Sequence, residues 1–254
     1  MLIFLNCPLL KRRFDEDCPD TNKLCQHFST FPSITYCIRL MFVFTQQPSI
    51  ANHFLAELRD VHTQTDSMRF RRNLERLGEL MAYEISKTFD YQQVNVQTPL
   101  GTAATELMAR PPVLATILRA GLPLYQGFLN FYDGAESAFV GAYRGPHQAD
   151  ESFEVQMDYL VCPDLFGKTL ILIDPMLATG KSIVKTFGAL LRYGVPAQTH
   201  LVAAIGSREG VSYVQTHLPD CYLWLGDVDE ELNHKFYIVP GLGDAVDLSF
   251  GNKI

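Results

Sequence analysis

The chain has 254 residues, long enough for one domain with a sizeable core plus an appendage, and 47% hydrophobic against 19% charged residues excludes a disordered chain. A formal net charge of -7 argues against a nucleic-acid-binding surface, and no run of about 18 apolar residues is present that could span a membrane. Cys7, Cys18, Cys25 and Cys37 crowd the N-terminus, which leaves only Cys162 and Cys221 in the body, the sparse usage of a reduced, cytoplasmic protein.

Residues 1–40 sustain neither a helical nor a strand period and carry the charge clusters Lys11-Arg12-Arg13 and Asp15-Glu16-Asp17. The apolar Leu2–Leu5 run has no basic residue before it and no small-residue cleavage site after it, which makes a secretory signal a weak reading. The cysteines there form no Cys-x-x-Cys pair, which argues against zinc. The segment is expected to be a disordered extension or to precede a natural start at Met41, with the domain spanning 41–254.

Ile50, Phe54, Leu55, Leu58 and Val61 set a helical period over 49–61. A second helix is expected from Asp66, its N-cap, to Thr88, with Phe70, Leu74, Leu77, Met81 and Ile85 along one face. Arg69, Arg71, Arg72 and Arg76 lie on another face, which reads first as a solvated charge run. Val113–Leu118 is a buried strand after the turn-forming Pro111-Pro112, and Arg119 stands at its carboxyl end, where open α/β sheets bind ligands, although a surface salt bridge explains it equally well in isolation. Ser137–Tyr143 is a further strand, ending at Tyr143-Arg144 and followed by a polar stretch, 145–154, expected to be a long loop.

The unbroken apolar run Thr169–Ile173 predicts a central strand buried on both faces, and Ile183, Val184, Phe187, Leu190 and Leu191 predict a helix just downstream. The intervening loop collects backbone N–H groups at a helix N-terminus, with Gly180 permitting close approach and Thr179 and Ser182 adding hydroxyls: a phosphate site. A nucleotide P-loop is the competing reading of Gly180-Lys181-Ser182, but that motif requires glycine where Pro175 stands. Strands at Thr199–Gly206 and Cys221–Leu225 flank a helix from Glu209 to His217, with His200 and His217 read as structural. Strands alternating with helices give a mainly parallel sheet. Last comes Tyr237-Ile238-Val239-Pro240-Gly241-Leu242-Gly243-Asp244-Ala245, too rich in glycine and proline for a regular element and expected to be an ordered loop; composition alone reads it first as a plain turn-rich terminus, although such exposed backbone could pair with a flat ring.

Three of these stretches share a resemblance. The string from Asp174 to Ser182 resembles the phosphoribosyl diphosphate loop of type I phosphoribosyltransferases, and in the uracil branch it typically reads Asp-Pro-Met-Leu-Ala-Thr-Gly-Gly-Ser, from which this chain departs only at Lys181. Ile117-Leu118-Arg119-Ala120-Gly121-Leu122 and the stretch from Tyr237 to Ala245, preceded by Leu232-Asn233, resemble the same uracil phosphoribosyltransferase family, over about residues 48–251. The resemblance implies an α/β type I phosphoribosyltransferase-like fold: a mainly parallel sheet flanked by helices, with a small hood formed by N- and C-terminal segments. It implies transfer of the phosphoribosyl group of 5-phospho-α-D-ribose 1-diphosphate to uracil, giving UMP and diphosphate.

By the same resemblance, Arg119, Arg144, Asp174, Pro175, Met176, Leu177, Ala178, Thr179, Gly180, Lys181, Ser182 and Asp244 bind phosphoribosyl diphosphate. Asp174, Arg144 and Asp244 are the residues implied in catalysis, while Ile238, Gly243, Asp244 and Ala245 meet the uracil. Mg²⁺ is implied as a cofactor held mainly through the substrate diphosphate, without dedicated metal ligands, and the chain is implied to be a homodimer or homotetramer. Two departures stand out: Gly145-Pro146-His147-Gln148 replaces the usual Asn-Glu-Glu-Thr after Arg144, and Val246 replaces a glycine beside the base loop. They leave open the alternative of a non-catalytic, regulatory paralogue that binds a pyrimidine nucleotide.

Overall fold

The computed structural model describes residues 41–147 and 153–252, so the expectations for residues 1–40 lie outside what is described. In chain order the elements are β1 (Met41–Val43), a 3-10 turn, α1 (Ala51–Arg59), α2 (Ser67–Ser86), β2 (Tyr91–Thr98), β3 (Gly101–Met108), β4 (Val113–Leu118), α3 (Leu122–Phe131), β5 (Glu136–His147) and β6 (Phe153–Val161). Then follow β7 (Thr169–Ile173), β8 (Met176–Leu177), α4 (Lys181–Leu190), a second 3-10 turn, β9 (Gln198–Ser207), α5 (Arg208–His217), β10 (Tyr222–Asp229), β11 (Glu231–Leu232), β12 (Ile238–Val239) and α6 (Ala245–Phe250).

The main sheet runs β1-β10-β9-β7-β4-β5-β6, with β8 also paired to β9. All its pairings are parallel except β5 with β6. The apolar runs of β4 and β7 are continuous because both faces are covered. Leu114, Ile171 and Ile173 join one core with Phe70, Leu74, Leu77 and Phe128 of α2 and α3. Val113, Ala115, Leu170 and Leu172 join the other with Ile183, Leu190 and Val214 of α4 and α5. The chain therefore leaves β4 for one layer and β7 for the other. A crevice opens at the carboxyl ends of these two neighbouring strands, where the winding reverses.

Asp66 caps α2 as expected, its side chain accepting from the Met68 and Arg69 N–H groups. Three expectations need correction. The basic face of α2 is not merely solvated: Arg69 pairs with Glu57, Arg72 with Glu75, and Arg71 donates to the Ser249 carbonyl at 2.6 Å, fastening α6 to α2. The stretch 145–154 is not wholly loop, because β5 runs on to His147 and pairs antiparallel with β6 from Phe153, the ladder holding Arg144 opposite Val155. The glycine-rich C-terminus also hides two short regular elements, β12 paired with β11 and α6 starting at Ala245.

The hood takes shape as the segment after β10 folds back over the strand ends onto α1 and α2. His200 is fully buried against Phe89, Tyr222 and Trp224, accepts from the Trp224 indole N–H at 3.0 Å, and is pushed down to a pKa of about 4 by that burial. The hairpin β2–β3 was not foreseen at all. Its sixteen ladder residues pair only with each other among the described residues, and most are exposed.

Candidate active site

A cleft of about 710 Å³ lies over the carboxyl ends of β4 and β7. Arg119, exposed just past the end of β4, lines it beside Asp174, the first residue past β7. From Asp174 the backbone keeps a strand-like alternation: Asp174, Met176 and Ala178 face the cleft, whereas Pro175 and Leu177 turn into the body. Any contact that Pro175 or Leu177 makes with a ligand in the cleft would thus come from backbone. Thr179 and Gly180 are buried, Lys181 is exposed outside the cleft lining, and Ser182, in the first turn of α4, returns to it.

Backbone pairing positions this loop. The Asp174 N–H donates to the Val202 carbonyl at 3.0 Å, and the Ile205 N–H to the Pro175 carbonyl at 3.0 Å. The Asp174 carboxylate accepts from the Met176 N–H at 3.3 Å. Gly180 caps α4 at φ 74°, in the left-handed region that a side chain would disfavour. The Ser207 hydroxyl donates to the Ala178 carbonyl at 2.6 Å and accepts from the Gly210 N–H at 2.9 Å. Gly210 itself packs so tightly that a Cβ there would lie 2.2 Å from the Ala178 oxygen.

Ile238, Gly243, Asp244 and Ala245 line the same cleft. Asp244 caps α6, accepting from Val246 at 2.9 Å and Asp247 at 3.2 Å, and its second oxygen is reached by the Tyr237 hydroxyl at 3.5 Å. The Asn233 side chain shapes the approach, accepting from the Lys235 and Tyr237 N–H groups at 2.9 and 3.0 Å.

A family model described as uracil phosphoribosyltransferase matches residues 44–252. The chain belongs to the uracil phosphoribosyltransferase family. It is 47% identical over 207 residues to the uracil phosphoribosyltransferase of Porphyromonas gingivalis, covering 81% of this chain and 95% of that protein. It is 36% identical over 217 residues to that of Pyrococcus furiosus, covering 84% and 91%. A solved structure of a protein from Aquifex aeolicus superposes with a TM-score of 0.75 at 28% identity, covering 85% of this chain and all of that one.

Of the residues that the uracil phosphoribosyltransferase resemblance implied, Arg119, Asp174, Met176, Ala178, Ser182, Ile238, Gly243, Asp244 and Ala245 meet in one cleft. Arg144 is placed only by its backbone, on the strand that borders the cleft at Gly141. Sequence reasoning missed Asp158 and Tyr159 of β6 and Phe236, all of which line the cleft. Phe236 adopts φ 60° in a turn closed by its N–H donating to the Asn233 carbonyl at 2.8 Å, and nothing in its sequence neighbourhood singled it out. Missed too was Arg59, which reaches from α1 to Asp227 and Asp229 at 2.8 Å. Burial works against its charge, but Asp229 and Asp227 outweigh that and raise its pKa.

Proposed function

We propose that this chain transfers the phosphoribosyl group of 5-phospho-α-D-ribose 1-diphosphate to uracil, forming UMP and releasing diphosphate. The observation that carries the reading is the meeting of residues from the Asp174–Ser182 loop and from the Ile238–Ala245 loop in the lining of one cleft. Nothing in the fold or in the relatives favours the regulatory alternative.

In this reading the C1–O bond to the diphosphate breaks ahead of attack by uracil N1, so positive charge grows on the sugar and negative charge on the leaving group. The first turn of α4 and the Ala178–Ser182 backbone hold the 5-phosphate. Asp174 takes the ribose hydroxyls, Asp244 faces the ribosyl diphosphate, and Arg119 and Arg144 offset the diphosphate charge. Backbone groups at Ile238, Gly243 and Ala245 read the edge of the base. Among the described residues no three His, Cys, Asp or Glu side chains are arranged to hold a metal. A Mg²⁺ ion held mainly through the substrate diphosphate would supply further charge neutralisation.

The homo-oligomer belongs to the same proposal. An isolated two-stranded ribbon is marginal in water, and β2–β3 exposes Tyr91, Val96, Leu100 and Leu107 while carrying few charges, which suits cover by a second copy. Among the described residues no helix is long and apolar enough to cross a membrane. A reducing, cytoplasmic setting agrees with the free Cys162 and Cys221, whose thiols burial pushes up to about 11. The test is direct: purified protein, uracil, phosphoribosyl diphosphate and Mg²⁺ should yield UMP, with cytosine and purines rejected. Cytosine reverses donor and acceptor on the edge being read, which leaves buried groups unpaired. Comparable rates with uracil and cytosine would refute backbone readout.

A further inference from the structure

Arg59 is the last residue of α1, and its guanidinium ends at a single residue of the base-side loop. One terminal nitrogen, Nη1, donates to Asp229 Oδ2 at 2.8 Å and to the Gly241 carbonyl at 2.9 Å. The other, Nη2, donates to Asp229 Oδ1 and Asp227 Oδ2, both at 2.8 Å. Asp229 Oδ2 in turn accepts from the Gly241 N–H at 2.9 Å. Both polar backbone groups of Gly241 are thus fixed by one ion pair, whose carboxylate is only 7% exposed.

Stability alone is a poor reason for such a pair, since desolvation offsets most of the attraction and apolar packing would serve as well. Direction is what it supplies. Gly241 sits at φ 59°, and a Cβ there would lie 2.1 Å from the Ile238 oxygen, so the chain doubles back on Ile238 at this residue. Ile238 precedes the clamp by three positions and Gly243 follows it by two, and both line the cleft. Clamping the Gly241 backbone therefore sets where both neighbours aim.

We propose that Arg59 and Asp229 are positioning residues for base selection, acting through Gly241 without touching the base. This rests on the uracil reading of the cleft. A site that reads hydrogen-bond pattern by backbone tolerates little misplacement, so loosening the clamp degrades uracil recognition and leaves the phosphoribosyl end intact. Asp227, which holds Arg59 without reaching Gly241, matters less.

Arg59→Lys removes the fork that spans Asp229 and Gly241. Asp229→Asn keeps the shape and one acceptor while removing the charge, and serves should the first variant not fold. In the full chain, each should raise KM for uracil about tenfold to a hundredfold, the scale of a charged hydrogen bond. The kcat and the KM for phosphoribosyl diphosphate should stay within about threefold. The preference for uracil over cytosine should fall in parallel, and Asp227→Asn should change KM for uracil by less than about threefold. Folded variants with wild-type KM and selectivity would overturn the clamp alone, as would equal rises in KM for both substrates. A wild-type chain that forms no UMP would overturn the reading of the cleft, and this inference with it.

Discussion

The two loops that line the cleft are held by opposite means. The loop from Asp174 to Ser182 grows out of the centre of the sheet and is fastened by backbone: Asp174 and Pro175 pair with β9, and β8 extends the ladder. A further tie, from Ser207 to Ala178, is local to the end of that same strand. The segment from Asp229 to Phe250 leaves the sheet and is tethered chiefly by side chains from distant parts of the chain, Arg59 at Gly241 and Arg71 at Ser249. A loop fixed by main-chain pairing tolerates changes of side chain but not added bulk. A loop fixed by side chains depends on which ones are removed.

The largest expected effect lies on neither loop and isolates the chemistry from both. Arg144→Ala should lower kcat by about a hundredfold or more, because an arginine opposed to charge that grows on the leaving group acts mainly in the transition state. Uracil affinity should change little. Steady-state kinetics that return wild-type kcat would remove Arg144 from the mechanism.

Next in size is the test of bulk on the phosphate side. Gly210→Ala places a methyl group against the Ala178 and Leu177 carbonyls, at 2.2 and 2.7 Å before relaxation. The cost should be about 1–3 kcal/mol of stability, with KM for phosphoribosyl diphosphate rising and that for uracil held. Ser207→Ala removes the cap of α5 and the bond to Ala178 without adding bulk, and should cost about 1 kcal/mol. Urea unfolding of both variants checks the order: if Ser207→Ala proves the more damaging, a side chain and not close backbone packing holds this loop.

The same contrast explains what could be read from sequence. Thr169–Ile173 and the spacing of Ile183, Phe187 and Leu190 announce β7 and α4 because both faces of the strand and one stripe of the helix are buried locally. Arg119 and Asp174 follow from their places at strand ends. The hairpin β2–β3 announces itself only weakly, since Gln92, Gln93, Asn95 and Gln97 interrupt its apolar residues and most of the hairpin is exposed. The six residues of α6 are too short to show a period, and Asp244, which caps them, also carries the family's substrate motif. Arg59 and Asp229 are 170 positions apart, and no spacing rule links a helix end to a strand end over that distance. The Asp174–Ser182 loop was legible because its determinants are contiguous. The Ile238–Ala245 loop was recognisable only by resemblance, because its tethers are not.

The smallest expected effect tests whether every side chain on the base side is a tether. Val246 lines the cleft and stands in the first turn of α6, with its N–H donating to Asp244 at 2.9 Å. That bond comes from backbone, so Val246→Gly keeps the cap of α6 and with it the placement of Asp244. The variant loses a branched side chain from the cleft wall and restores the residue usual in the family. Glycine in a helix costs at most about 1 kcal/mol, and less in a first turn, so the melting temperature should fall only slightly. KM for uracil should stay the same or drop, and 5-substituted uracils should gain more than uracil itself because the wall recedes. If KM for uracil rises instead while thermal stability holds, the valine is an apolar contact for the base, and this chain has traded backbone approach for side-chain packing at that point of the site.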